Sequence, residues 1–133
     1  MQTQHFNTAA VEDHSTELLV ILVPAGQAGF PSQAYPASLE TLIEHYKTIG
    51  DWHSESKYLL CINPPKYKAL RILLVNTNLD INRADAKRIS MVVTDVLEQL
   101  NQAKAEVMMP PGLQGGELLI QAFFHASYRF SDY

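Results

Sequence analysis

At 133 residues, with 47% hydrophobic and 18% charged side chains, the chain fits one globular domain that buries about two-thirds of its unfolded surface without a disulfide or metal staple. A net charge of -4 and a pI near 5.6 exclude a general attraction to nucleic acid or anionic membrane, though not a local basic patch; the modest charge fits a surface partly covered by other subunits or another domain. One cysteine, Cys61, excludes an internal disulfide, the first residues are not a signal peptide, and no stretch reaches the ~18 apolar residues of a membrane span, so a cytoplasmic protein is expected.

Thr3 to Asn7 reads as a short edge strand. Glu17 to Val23 is a nearly continuous apolar run ended by Pro24-Ala25-Gly26, the pattern of a strand buried on both faces at the centre of an α/β sheet. Gly26 to Pro36 is a loop rich in Gly, Pro, Ser and Gln. Ser38 to Ile49 follows as a helix, with Ser38 as its cap, Leu39, Leu42, Ile43 and Tyr46 on one stripe, and Gly50 as its stop. Lys57 to Ile62 and Leu70 to Val75 are two strands, joined through Asn63-Pro64-Pro65-Lys66-Tyr67-Lys68 as a hairpin or wide turn. Arg83 to Ala103 carries the clearest helical period, through Ile89, Val92, Val93, Val96, Leu97 and Leu100, with Asn82 as cap and Asp85 at the favourable end of the helix dipole. Glu106 to Met109 is a short strand. Gly115 and Gly116 open a last helix, Glu117 to Tyr128, whose stripe is Leu118, Leu119, Ala122, Phe123 and Ala126. The expected order is β-β-α-β-β-α-β-α, a single α/β domain with a mixed sheet flanked by helices.

Four local patterns stand in a set order over almost the whole chain: the buried strand Leu18 to Val23 near the start, Gly50-Asp51-Trp52 after the first long helix, Arg71-Ile72-Leu73-Leu74-Val75 as a strand, and Tyr128-Arg129-Phe130 after the last helix. In that order, with the long Ala- and Arg-containing helix between them, the chain resembles the N-terminal domain of the leucyl (cytosol) aminopeptidase family. The resemblance implies a macro-domain-like three-layer fold and a hexameric parent enzyme. It also implies a C-terminal catalytic domain in the same polypeptide, holding two divalent metals, zinc or manganese, and the catalytic Lys and Arg. On this basis the chain itself holds no catalytic or metal-binding residue. Its ending on Tyr128-Arg129-Phe130-Ser131-Asp132-Tyr133 looks cut, and Tyr128, Arg129 and Phe130 are expected at the domain junction. Two departures mark a divergent member. Asn76-Thr77-Asn78 replaces a Gly-x-Gly turn, where Asn can adopt the left-handed backbone, and His53-Ser54-Glu55-Ser56-Lys57 replaces a Gly-Lys loop.

Read from the residues alone, the strongest site candidate is the turn Gly112-Leu113-Gln114-Gly115-Gly116 before the last helix. Glycines let backbone amides approach an anion at a helix start. The turn lacks both the P-loop and the dinucleotide spacing, but macro-type folds bind ADP-ribose through Gly-rich loops of this kind, which makes a free-standing nucleotide-binding module the alternative. Lys66, Lys68 and Arg71, near Tyr58 and Tyr67, form the one basic-aromatic patch and the basis for a DNA-binding regulator. His45 and His53 flank Asp51 but fall short of a zinc ligand set. Glu12-Asp13-His14 reads as a solvated loop and Cys61 as a buried structural thiol, while Trp52 fits equally an interface anchor or a ring packed under its loop.

Overall fold

The computed structural model describes residues 17–24, 37–53, 56–62, 64, 66–102, 104–110, 112–122 and 127–132; in the last segment only Phe130 is described beyond its backbone. The elements run β1 (Leu19–Val23), α1 (Ala37–Thr48), β2 (Tyr58–Ile62), β3 (Arg71–Asn76), α2 (Arg83–Leu100), β4 (Lys104–Met109), α3 (Gly116–Ala122) and β5 (Ser127–Asp132). They build a five-stranded sheet in the order β2-β3-β1-β4-β5. β1 pairs in parallel with β3 and β4, β4 pairs in parallel with β5, and β2 alone runs antiparallel, along β3. This is an α/β fold with a mixed sheet.

The continuous apolar character of β1 follows from its place at the centre. Strand side chains alternate between faces. Leu18, Val20 and Leu22 pack with Ala86, Ile89, Val93, Val96 and Leu97 of α2 and Leu119 of α3. Leu19, Ile21 and Val23 pack with Leu39, Leu42 and Ile43 of α1 and with Trp52. Helices therefore cover both faces, and every β1 side chain is buried.

The helix ends show how local chemistry sets boundaries. Gly50, at φ 86, donates its N–H to Lys47 C=O at 3.1 Å, and Asp51 N–H reaches Tyr46 C=O at 2.9 Å. Those two bonds are a Schellman closure. They turn the chain so that Trp52 lies 1% exposed under α1, which places this ring in the core and not at an interface. α2 begins in a capping box, Asn82 Oδ1 accepting from Asp85 N–H at 2.8 Å and Asp85 Oδ2 accepting from Asn82 N–H at 3.2 Å. It ends at Leu100, three residues before the expected Ala103, because Asn101 turns left-handed at φ 56. Asn101 and Gln102 repeat the Schellman bonds to Glu98 and Leu97 C=O. α1 starts at Ala37, so Ser38 lies in its first turn and not at its cap.

Two further expectations are corrected. Asn76 and Asn78 do not form a left-handed turn, since neither has positive φ. Asn76 instead extends β3: its N–H bonds Lys57 C=O at 2.9 Å and its Nδ2 bonds Ser56 C=O at 2.8 Å. The last helix is also shorter than expected, and Tyr128, Arg129 and Phe130 lie in strand β5, paired with Ala105, Glu106 and Val107. The open edge of β4 offers a ladder that a helix cannot use, and Tyr128-Arg129-Phe130 has the aromatic period of two that suits it. The expected strand at Thr3–Asn7, the loop Gly26–Pro36, Glu12-Asp13-His14 and the stripe residues Phe123 and Ala126 lie outside the described residues.

Candidate functional site

In an open parallel sheet, ligands gather outside the carboxyl ends of the strands, where successive connections leave to opposite faces. Here that point is β1. The chain passes from β1 to α1 on one face and from β3 to α2 on the other. β1 and β3 stay zipped to the end, with Thr77 N–H on Val23 C=O at 3.0 Å. Beyond them the loop after β3 meets the loop after β4. Gln114 N–H bonds Leu79 C=O at 2.7 Å and Ile81 N–H bonds Gln114 C=O at 2.9 Å, forming a short parallel bridge between Asp80 and Gln114. Arg88, from the first turns of α2, reaches Asn76 C=O with Nη2 at 3.4 Å.

The three glycines singled out in the sequence have different positions in this arrangement. Gly115, at φ +86, lies so close to Ile81 that any Cβ would collide with the Ile81 carbonyl. Its C=O accepts from Leu118 N–H at 3.0 Å, so it both starts α3 and lets the two loops touch. Gly116 is the first residue of α3, and a side chain there would meet only ordinary contacts. Gly112 stands exposed in the turn, with open space around it. The glycine pattern is thus explained first by loop packing at Gly115, while nothing packs at the Gly112 position.

Beneath α1, the Tyr46 hydroxyl donates to the Cys61 sulfur. Burial pushes the Cys61 thiol up to about 11; the Tyr46 hydrogen bond pulls it down and the Asp51 charge adds to the rise. Burial, the same bond and the charges nearby push Tyr46 up to about 12. A thiol 2% exposed and held protonated is neither nucleophile nor metal ligand at neutral pH.

The fold takes Tyr58 out of the basic patch. Lys66 and Lys68 are exposed in the β2–β3 connection, and Arg71 starts β3 opposite Ile62. Tyr58 is at the far end of β2, beside Val75, about 13 Å of strand away. His45 and His53 are both exposed, and His45 stacks edge-on against Tyr46 at 5.0 Å. Among the described residues, no three His, Cys, Asp or Glu side chains come together as a metal site.

Sequence reasoning missed two features. Glu106 is 4% exposed in β4, and its register neighbour in β5 is Arg129; a Glu at the head of the expected apolar strand Glu106 to Met109 was the available signal. The other feature is the β2 edge. Tyr58 and Ile62 are 48% and 63% exposed, and Leu70, just before β3, is 50% exposed. The apolar run Tyr58–Ile62 marks a strand, but only the strand order makes it an edge.

No protein-family model matches the chain, and no curated protein matches it. No described helix is long and apolar enough to cross a membrane.

Proposed function

We propose that this chain is the non-catalytic N-terminal domain of a leucyl aminopeptidase-like metallo-exopeptidase, and that its work is assembly: packing on a catalytic domain of the same polypeptide and bracing a homo-oligomer. The observation that carries the assembly role is the apolar flank at the β2 side of the sheet, where Tyr58, Ile62 and Leu70 are each about half exposed or more. Large apolar side chains gathered at one rim favour a covering partner. The family assignment is supported by the order of Gly50-Asp51-Trp52, Arg71–Val75 and Tyr128-Arg129-Phe130 in the sequence, with Tyr128, Arg129 and Phe130 leading toward the junction. In this reading the two divalent metals, zinc or manganese, and the residues that cleave peptides belong to the catalytic domain.

The test is the mass of the native protein in its cell, detected with an antibody to this domain. The expected result is a chain several hundred residues long that co-precipitates metal-dependent release of leucine from peptides. A native chain near 14.9 kDa would overturn the reading.

One observation favours a second reading, a macro-like module for ADP-ribose or a related nucleotide. The loops after β3 and β4 meet at the carboxyl edge of the sheet, with the Gly112 turn exposed beside them. Ligand binding to the folded state raises the melting temperature by linkage. A nucleotide-binding module therefore melts higher in millimolar ADP-ribose, and an unchanged melting temperature removes this reading.

A further inference from the structure

We infer that the outer edge of β2 is a self-complementary docking strand for a second copy of this chain, joining two sheets antiparallel about a two-fold axis at Leu60. The inference deepens the assembly reading, resting on it only in taking the β2 flank as the interface.

The backbone phase sets the geometry. Asn76 N–H bonds Lys57 C=O at 2.9 Å, so Lys57 turns its polar groups inward, toward β3. Antiparallel pairs alternate between bonded and non-bonded. Leu59 opposite Leu74 and Cys61 opposite Ile72 are therefore the inward-bonding residues of β2. Tyr58, Leu60 and Ile62 turn their N–H and C=O groups to the outer edge, which no other described strand pairs. Three outward residues centred on Leu60 pair with themselves. Across a two-fold axis Leu60 faces Leu60, and Tyr58 of each copy faces Ile62 of the other. Each of these is a bonded pair that exchanges two backbone hydrogen bonds.

The side chains fit the same register. Tyr58 opposite Ile62 is an aromatic and β-branched pair, a favourable cross-strand combination. The strand Tyr-Leu-Leu-Cys-Ile carries no charge and no proline within it, two of the devices that keep edges apart, and self-pairing brings no like charges together. Tyr58, Leu60 and Ile62 alternate onto one face, and Leu60 packs against the cluster beneath α2. Docking a second copy makes these residues one apolar stripe across the joined sheet. A strand of this length spans about 17 Å, which gives an interface at the small end of the size range. The dimer is accordingly reversible and concentration-dependent.

Sedimentation velocity of the 133-residue chain, from roughly 5 to 500 µM, is expected to show a monomer going over to twice the 14.9 kDa monomer mass. Over the same range, amide exchange at Tyr58, Leu60 and Ile62 slows while Leu59 and Cys61 stay protected throughout. Ile62→Lys changes a side chain that is 63% exposed and weakens association roughly tenfold or more. Adding Tyr58→Glu to Ile62→Lys places opposite charges across the axis and recovers part of the loss. Leu60→Pro, which removes an outward N–H together with the Leu60 packing against the core, weakens association as well, and its unfolding midpoint, measured alongside, shows that the monomer still folds. A monomer at every concentration overturns the inference, as does a dimer whose affinity neither Ile62→Lys nor Leu60→Pro changes, or exchange at the three outward amides that ignores concentration. These outcomes are separable from the aminopeptidase reading, which depends on the native mass: a long native chain whose β2 edge stays unpaired sinks only the docking strand, and a short native chain that dimerises sinks only the peptidase parent.

Discussion

Cys61 and Gly115 show how much a single position depends on its surroundings. The folded state holds the Cys61 proton more tightly than the unfolded chain does, at about 11 against an ordinary 9.0. Its contribution to stability is therefore complete below pH 9 and is lost as pH rises through 11. The size is on the order of 2–3 kcal/mol. Urea unfolding between pH 8 and 11 should show that decline, and Cys61→Ala should make it shallower, leaving the part above pH 10 that Tyr46, itself pushed up to about 12, contributes; a wild-type curve flat over this window would remove the effect. At pH 8 the thiol should resist alkylation until the protein is unfolded. Gly115 and Gly116 are identical in sequence terms and opposite in structure. Gly115→Ala combines a left-handed backbone with a collision at Ile81 and should cost roughly 2 kcal/mol or more. Gly116→Ala meets open contact at a helix start and should be neutral or stabilise by up to ~1 kcal/mol. Denaturant midpoints of the two variants decide the matter.

At the scale of the element, α2 is the best specified part of the chain. Its stripe, its capping box and its left-handed stop are all local. Asn82→Ala removes the cap that accepts from Asp85 N–H and should lower stability by about 1 kcal/mol. Asn101→Gly should hold or slightly raise stability, whereas Asn101→Ala should cost about 1 kcal/mol, because only the backbone at φ 56 distinguishes them. Equal midpoints for the two Asn101 variants would contradict a left-handed cap. β5 is the contrasting case. Read alone, Glu117 to Tyr128 favours a helix; beside β4, its last part becomes a strand from Lys104↔Ser127 to Met109↔Asp132. Tyr128-Arg129-Phe130 is then part of the sheet, with Phe130 partly buried against the α2 side of the core.

For the whole molecule, the important asymmetry is between the faces of the sheet and its β2 edge. Both faces are closed by helices, α1 on one and α2 with α3 on the other. The β2 edge is left uncharged and apolar at Tyr58 and Ile62. If two copies join there, folding and association are linked, and the melting temperature rises with protein concentration. Calorimetry of the wild type and Ile62→Lys at two concentrations is expected to show that rise only in the wild type; equal behaviour would argue for a monomer. The carboxyl edge is the other polarised feature, with Gly112 exposed where the loops after β3 and β4 meet.

The features legible in the chain are those whose physics is local. The apolar run before Val23 required burial on both faces. The stripe from Ile89 to Leu100 made α2, and Gly50 ended α1. Each of these depends on neighbours within one or two turns of chain. The remaining features come from long-range packing. It placed β1 at the centre and β2 at an antiparallel edge, turned Tyr128-Arg129-Phe130 into a strand, set Gly115 against Ile81 and left Tyr58 and Ile62 half exposed or more. These are pairings between residues far apart in the chain, and a residue's local period carries no information about which distant strand will take up its hydrogen bonds.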